Sequence, residues 1–372
     1  MKRINLSINT LSLFTILIAS LSGFFFGHYL AIVSGAIEFM SEDFHFSLHE
    51  KAEFVGVVVA GALVGSSLGG ILTKKWGRKK LFFLSGVFLV LGCLWQAGGT
   101  SFTQLLFARS LQGLSIGLIS VFVPLYLSEV CSAQLRGRVV ACYQVMMNIG
   151  ILAAYFVCFL YTPAHDWKSM FLVGLIPVLF QGICSFFLPE SPYWLSKVGR
   201  HYEALKVLEA LEIPPALSFA EESKPILQKS TLRLLLFLGL TIAGFQQFTG
   251  VNAVICYAPS IFAKSGFDTP IKAILASVIL GVFNLVGCLI SLWLLDKAGR
   301  RKMLITGLGT MMISLLLLSL CAWLSVPYFN KIALILLFTY ILGFAVGPGP
   351  ATWVLLSEIF PIDFKDKAMG CA

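Results

Sequence analysis

The stretch GGILTKKWGRKK, Gly69 to Lys80, ends a long apolar run in a basic turn, and LLDKAGRRK, Leu294 to Lys302, ends another in the same way. The shared cores, Gly77-Arg78 and Gly299-Arg300, lie 222 residues apart (299 less 77). A second pair follows at nearly that offset. YLSEVCSAQLR (126–136) carries Ser128-Glu129 with Arg136 seven residues beyond the Glu, and LLSEIFPIDFK (355–365) carries Ser357-Glu358 with Lys365 seven beyond. Their offset is 229 (358 less 129). Two independent pairs at nearly one period mark a duplicated unit, and a repeat constrains the fold before any local pattern does.

The repeated unit is a set of membrane spans. The 372 residues are 58% hydrophobic and 12% charged, with mean hydropathy +0.89, whereas a soluble chain carries about 25% charged residues. Ten apolar runs are long enough to cross a hydrocarbon core of about 30 Å as helices: 12–36, 54–73, 81–99, 105–127, 139–160, 169–188, 233–257, 272–295, 303–325 and 332–356. Lys2 and Arg3 precede the first run as in a signal peptide, but the run is too long for one and no cleavage site follows. With the N-terminus inside, 21 of the 27 Lys and Arg residues fall on the inner side. Only Lys51, Arg109, Lys168, Lys264, Lys272 and Lys331 fall on the outer side or outer helix ends. That split is the positive-inside rule, and it removes any nucleic-acid meaning from the net charge of +9.

Six spans separate each motif from its copy, so the two halves share one orientation. The expected fold class is an all-α membrane protein of the major facilitator architecture, which is built on such a parallel repeat. A six-helix N-terminal bundle occupies 1–188 and an incomplete four-helix C-terminal bundle 232–372. Between them the polar segment 189–231 carries an amphipathic pattern, HYEALKVLEAL (201–211), that reads as a short cytoplasmic helix. Two spans follow Glu129 in the first half, but only fourteen residues follow Glu358. The repeat therefore expects two further spans beyond Ala372, and the chain reads as C-terminally truncated.

The nine cysteines are scattered without C-x-x-C, the five histidines are dispersed, and no phosphate-binding G-x-x-x-x-G-K-[ST] occurs. No metal site, cofactor or ATP-driven cycle is expected. With no nucleophile–base set at the helix ends either, the chain is read as a non-enzyme. Four motifs then stand in order: LQGLSIG (111–117) with Tyr126, Glu129 and Arg136; LPESPYWL (188–195); GFQQFTGVNAVICYAP (244–259); and GPGPATWVLLSEIFP (347–361). With the G-R-[KR] turns they resemble the sugar porter family of the major facilitator superfamily over nearly the whole chain.

The resemblance implies a sugar site at Phe26, Gln144, Gln246, Gln247, Asn252, Asn284 and Trp353. The chemistry agrees, because an uncharged amide offers both donor and acceptor to a ring of hydroxyls. A Trp adds an apolar face with a polar N–H. On an ideal helix Asn252 points about 120–140° away from the two glutamines at 3.6 residues per turn, so Gly244 and Gly250 are expected to unwind span 7. Amides in membrane helices also serve as interhelical glue. Asn148, one helical turn from Gln144, is read that way, whereas Asn284 keeps the family's spacing to Asp296.

The resemblance also implies a conformational latch at the cytoplasmic helix ends: Arg78, Glu129, Arg136, Asp296, Arg300, Arg301, Glu358 and Lys365. Simple topological charge is the plainer reading of the same residues.

Departures from the pattern bear on coupling and preference. In GFFFGHYLAIVSGA (23–36), Tyr29 stands where proton-coupled members carry an Asp, while the usual neighbour, Arg109, is kept. Tyrosine, with an ordinary pKa near 10, seldom releases its proton at neutrality. His28 titrates in a suitable range but is one residue off position, and is read as a polar packing residue. Lys74, Tyr193, Cys256 and Ala345 depart from the family as well.

The sequence thus predicts a hexose or pentose transporter working by alternating access in a cell membrane, bacterial inner membrane by its short outer loops. Its partners are a sugar and the lipid bilayer, with protons a candidate second substrate and no nucleic acid. It is expected to be facilitative or atypically coupled. The alternatives are a transport-dead remnant or sugar-binding sensor, and a proton symporter of a sugar or an inositol-like polyol.

Overall fold

A computed structural model of the chain describes residues 9–132, 135–214 and 229–359; the side chains of some residues within these, Asp296 and Glu358 among them, lie outside the description. Ten helical stretches among the described residues are long and apolar enough to cross a membrane, in the predicted order. Span 1 is α1 (Thr10–Ala31) and α2 (Val33–Phe44); spans 2 to 5 are α3 (Leu48–Trp76), α4 (Lys79–Gly98), α5 (Phe102–Glu129) and α6 (Arg136–Tyr161). Span 6 divides at Gly174 into α7 (Trp167–Val173) and α8 (Leu175–Ser185). Two short helices, α9 (Pro192–Lys197) and α10 (His201–Ala210), follow in the linker. Span 7 is α11 (Lys229–Phe248) and α12 (Val251–Lys264), span 8 is α13 (Pro270–Ala298), and span 9 is α14 (Arg300–Trp323). Span 10 divides into α15 (Phe329–Val346) and α16 (Pro348–Ile359).

Several helices outrun the apolar stretches, because their ends are capped by polar residues that hydropathy does not register. Ser47 and Glu50 form a reciprocal capping box that starts α3 six residues before the predicted span at 54 (Leu48). Thr269 caps α13 ahead of Pro270 at its first position. The duplicated glycines do the same work twice. Gly77 ends α3 at φ 84° and Gly299 ends α13 at φ 80°, left-handed values that glycine alone adopts without cost.

Helices α1, α3, α4, α5 and α6 pack together, as do α12, α13, α14 and α15; α6 against α13 is the largest contact between the two groups. A Cβ at Gly65 would lie 2.1 Å from the Leu114 carbonyl oxygen, and one at Gly117 2.1 Å from that of Ala62. The α3 and α5 backbones therefore touch, the small-residue packing that replaces the hydrophobic effect in lipid. The outer faces are apolar, with Val59 60% and Ile71 65% exposed on α3, as a bilayer-facing helix requires.

Candidate functional site

Span 7 breaks once. Gly250 takes φ 79° between α11 and α12, while Gly244 stays inside α11, so the expected unwinding occurs at one of the two glycines. The hydroxyl of Tyr340 donates to the Thr249 carbonyl at 2.6 Å and ties the break to α15. The break turns Asn252 back toward Gln247, and its amide donates to Gln247 Oε1 at 2.8 Å. Gln247 is exposed. Gln246 points the other way, 7% exposed, and donates to the Pro348 carbonyl at 2.9 Å. Pro348 opens α16, where span 10 also breaks, so that carbonyl faces Gln246.

On the facing helices, Asn284 of α13 donates to Asn148 Oδ1 of α6 at 2.8 Å, and Asn148 donates to the Gln144 carbonyl at 3.1 Å. The Oε1 of Gln144 and the Oδ1 of Asn284 are buried and have no hydrogen-bond partner among the described residues. Two amide acceptors are thus held beside the seam between the groups. Asn148 does act as glue, and its partner is Asn284. Trp353 is half-buried beside Val121, Ala243 and Leu356, and Phe26 is half-buried on α1.

A second polar cluster lies inside the first group of helices. Arg109 is fully buried, its Nη1 donating to Gln112 Oε1 at 2.8 Å and its guanidinium carbon 5.9 and 6.0 Å from the ring centres of Phe54 and Phe171. Among the described residues its Nε and Nη2 find no hydrogen-bond partner, and neither do the two ring nitrogens of His28 or the hydroxyl of Tyr29. Cys93 lies beside Tyr29, and Cys256 and Cys93 are both close enough to Arg109 to act on its charge. His28 stacks on Phe24 at 5.6 Å. A Cβ at Gly174 would meet the Tyr29 hydroxyl at 2.7 Å and His28 Nε2 at 2.8 Å, so only glycine fits at the break in span 6. Burying a charge without a counter-charge costs on the order of several kcal/mol. Two aromatic faces and one amide offset only part of that.

At the helix ends, Arg78 grips Glu129 with two parallel hydrogen bonds, Nε to Oε2 at 2.9 Å and Nη2 to Oε1 at 2.7 Å, the fork geometry of a strong pair. Glu190 of the PESP motif accepts from the Arg78 amide at 2.8 Å, and Tyr126 donates to the Pro189 carbonyl at 2.8 Å. Arg136 donates to the Ser128 carbonyl at 3.1 Å. These contacts lie within the first group of helices. Arg300 reaches across from the second, its Nη2 3.9 Å from where a Cβ at Gly137 would be. Arg301 is exposed. The side chains of Asp296 and Glu358, and all of Lys365, lie outside the described residues.

The family model for "Sugar (and other) transporter" matches residues 15–372. The chain belongs to that family. The galactose-proton symporter of Escherichia coli is 33% identical over 97% of this chain and 81% of its own length, and the arabinose-proton symporter of the same species 30% identical over 97% and 80%. Among solved structures, a partially occluded inward-open conformation of the E. coli xylose transporter XylE superposes with a TM-score of 0.82 at 28% identity, over 98% of this chain and 88% of that one. This is a multi-pass sugar transporter of the major facilitator superfamily, not an enzyme.

Two contacts of this transporter escape motif reading, and a third does not. Tyr155 donates to the Ile255 carbonyl at 2.8 Å and Ser260 to Glu38 at 3.1 Å, both joining the two groups beyond the Gly250 break. Neither carries a sequence signal, since each pairs a common residue with a backbone group or a helix-end acid far along the chain. Gln112 was accessible to inspection: it stands three residues after Arg109, which puts both on one helix face.

Proposed function

We propose that this transporter carries a hexose or pentose by alternating access and does so without the usual proton coupling. The observation that carries the second part is Tyr29. It occupies the acid's place in span 1 beside a buried Arg109 that has no carboxylate partner among the described residues. The galactose, arabinose and xylose transporters among its relatives support a monosaccharide substrate. The amides Gln144, Gln246, Gln247, Asn252 and Asn284, with Trp353 and Phe26, form the proposed sugar wall. Cys256 and Ala345 make its preference among sugars its own. The N-terminus is cytoplasmic in this reading, and the membrane is a bacterial inner one.

The Arg78–Glu129 pair, with Arg136, Arg300, Arg301, Asp296, Glu358 and Lys365, forms the proposed latch that holds the halves 1–188 and 232–372 together on the cytoplasmic side. Glu129→Gln then shifts the balance inward. An unchanged labelling pattern at cytoplasmic cysteine probes would refute the latch.

The deciding experiment is sugar uptake by vesicles containing only this protein, with the external pH recorded. Saturable uptake without alkalinisation supports the proposal. Alkalinisation with uptake supports coupling through His28, a second reading favoured by its two unpaired ring nitrogens. Binding without uptake supports the sensor or remnant.

A further inference from the structure

A recess of about 840 Å³ opens where α3, α4, α8 and α9 meet. Trp76, Lys79, Lys80, Phe83, Phe186 and Arg200 are among its lining. Its two ends differ in chemistry. At one, Phe83 and Phe186 are 53% and 64% exposed with ring centres 6.1 Å apart, on the bilayer-facing surface of α4 and just past α8. At the other, the charges divide into engaged and free. Arg200 pairs with Glu203. Glu190 accepts the backbone amides of Arg78, Lys79 and Ser191. Lys79 donates to the Phe186 carbonyl at 2.7 Å, which holds its ammonium at the boundary between the two ends.

The Lys80 side chain is exposed and its ammonium forms no hydrogen bond or ion pair among the described residues, and the same holds for the side chains of Lys74 and Lys75 on the adjoining turn. That turn is fixed to the recess, because the indole N–H of Trp194, itself part of the lining, donates to the Lys74 carbonyl at 2.9 Å. The recess therefore has an aromatic, membrane-facing end and an end where ammonium groups outnumber free carboxylates.

We propose that this recess seats one anionic phospholipid of the cytoplasmic leaflet, its phosphate between Lys80 and Lys79 and the start of its acyl chains along Phe83 and Phe186. Trp76, at the end of α3, marks the headgroup depth, where indoles concentrate. The aromatic end argues for a lipid over a soluble phosphate compound, which would gain nothing from it. The surplus of ammonium groups argues for an anionic headgroup over a zwitterionic one. Juxtamembrane lysines each strengthen binding to an anionic surface about fivefold. The proposal rests on the cytoplasmic orientation given under Proposed function, and its position couples the lipid to the Gly77-Arg78 turn whose guanidinium holds Glu129.

The test is native mass spectrometry of the purified full chain exposed to equal amounts of phosphatidylglycerol and phosphatidylcholine. Wild type is expected to retain the former at least fivefold over the latter. Lys80→Gln, remote from the sugar wall, is expected to cut that preference about fivefold, and Lys74→Gln with Lys75→Gln to cut it further, with sugar binding unchanged as the sign of an intact fold. Equal retention of the two lipids, or an unaltered preference in both lysine variants, overturns the proposal. So does full displacement by millimolar glycerol 3-phosphate, which would make this a soluble-phosphate site. Labelling of Lys80→Cys by an impermeant maleimide reports the orientation separately. Failure of the transport reading would appear as absent sugar uptake with lipid retention intact.

Discussion

Two polar clusters sit in this apolar protein, and they are built on opposite terms. The amides on α6, α11, α12 and α13 are uncharged, bond to one another or to a carbonyl, and keep spare acceptors: Gln144 Oε1 and Asn284 Oδ1 have no partner among the described residues, and Gln247 is exposed. The Arg109–His28–Tyr29 cluster carries a full charge, is built from the first group of helices with Cys256 of α12 close to Arg109, and has orphaned donors facing no acid among the described residues. A neutral amide swaps one partner for another at little cost, since each hydrogen bond nets about 0.5–1.5 kcal/mol. A buried cation cannot move or exchange so freely. Under the proposed function, the contrast would let a transporter keep its substrate wall while losing its coupling group, since the change at Tyr29 falls in the second cluster and not among the amides.

Four measurements test that separation. Replacing both Gln247 and Asn252 by Ala removes their mutual bond and two sugar contacts, and uptake at low sugar concentration is expected to fall about thirtyfold or more, two hydrogen bonds at about 1 kcal/mol each. Retained uptake would remove the amides from the site. Tyr29→Asp returns a carboxylate to the Arg109 cluster, and uptake is expected to become gradient-driven, with an accumulation ratio approaching about tenfold per pH unit for one proton per sugar. Accumulation in the wild type under the same gradient would collapse the contrast. Asn284→Ala cuts the bridge to Asn148 and should lower thermal stability by about 0.6–1.7 kcal/mol, the range for interhelical hydrogen bonds in membranes, with a several-fold loss of sugar affinity. A change in stability alone would leave Asn284 as glue. The smallest effect is expected for His28→Phe, which keeps the stack on Phe24: uptake within about twofold of wild type. A large loss there would transfer the coupling role to His28.

Sequence reading carried the fold far. The ten spans and their order follow from hydropathy, and the equivalence of Gly77 and Gly299, read from a repeat, reappears as two left-handed helix ends. Helix ends were less legible, because Ser47, Glu50 and Thr269 extend helices through hydrogen bonds rather than apolarity. At the site, the need to bend span 7 was visible as a conflict between Asn252 and the glutamines. Which glycine bends was not, and the Tyr340 hydroxyl that fastens the break at Thr249 comes from 91 positions away in the chain. The Asn284–Asn148 bond joins residues 136 apart; no local pattern encodes it. Arg109 was legible as the kept neighbour of the missing span 1 acid, whereas the absence of any acid around it among the described residues is a property of packing.

The left-handed turn at Gly250 has a mechanical consequence. It cuts span 7 so that α12, 14 residues long with Pro259 inside it, is an arm of about 21 Å at 1.5 Å per residue, hinged at one end. Its far part is fastened to the first group of helices only by Ser260 to Glu38 and Ile255 to Tyr155 among the described hydrogen bonds above the thiol contacts. A swing of roughly 15° about the hinge carries the tip of such an arm about 5 Å, close to the width of a sugar ring. The door to the site can therefore be a single half-helix, opening while α11 and the glutamine beneath it stay in place.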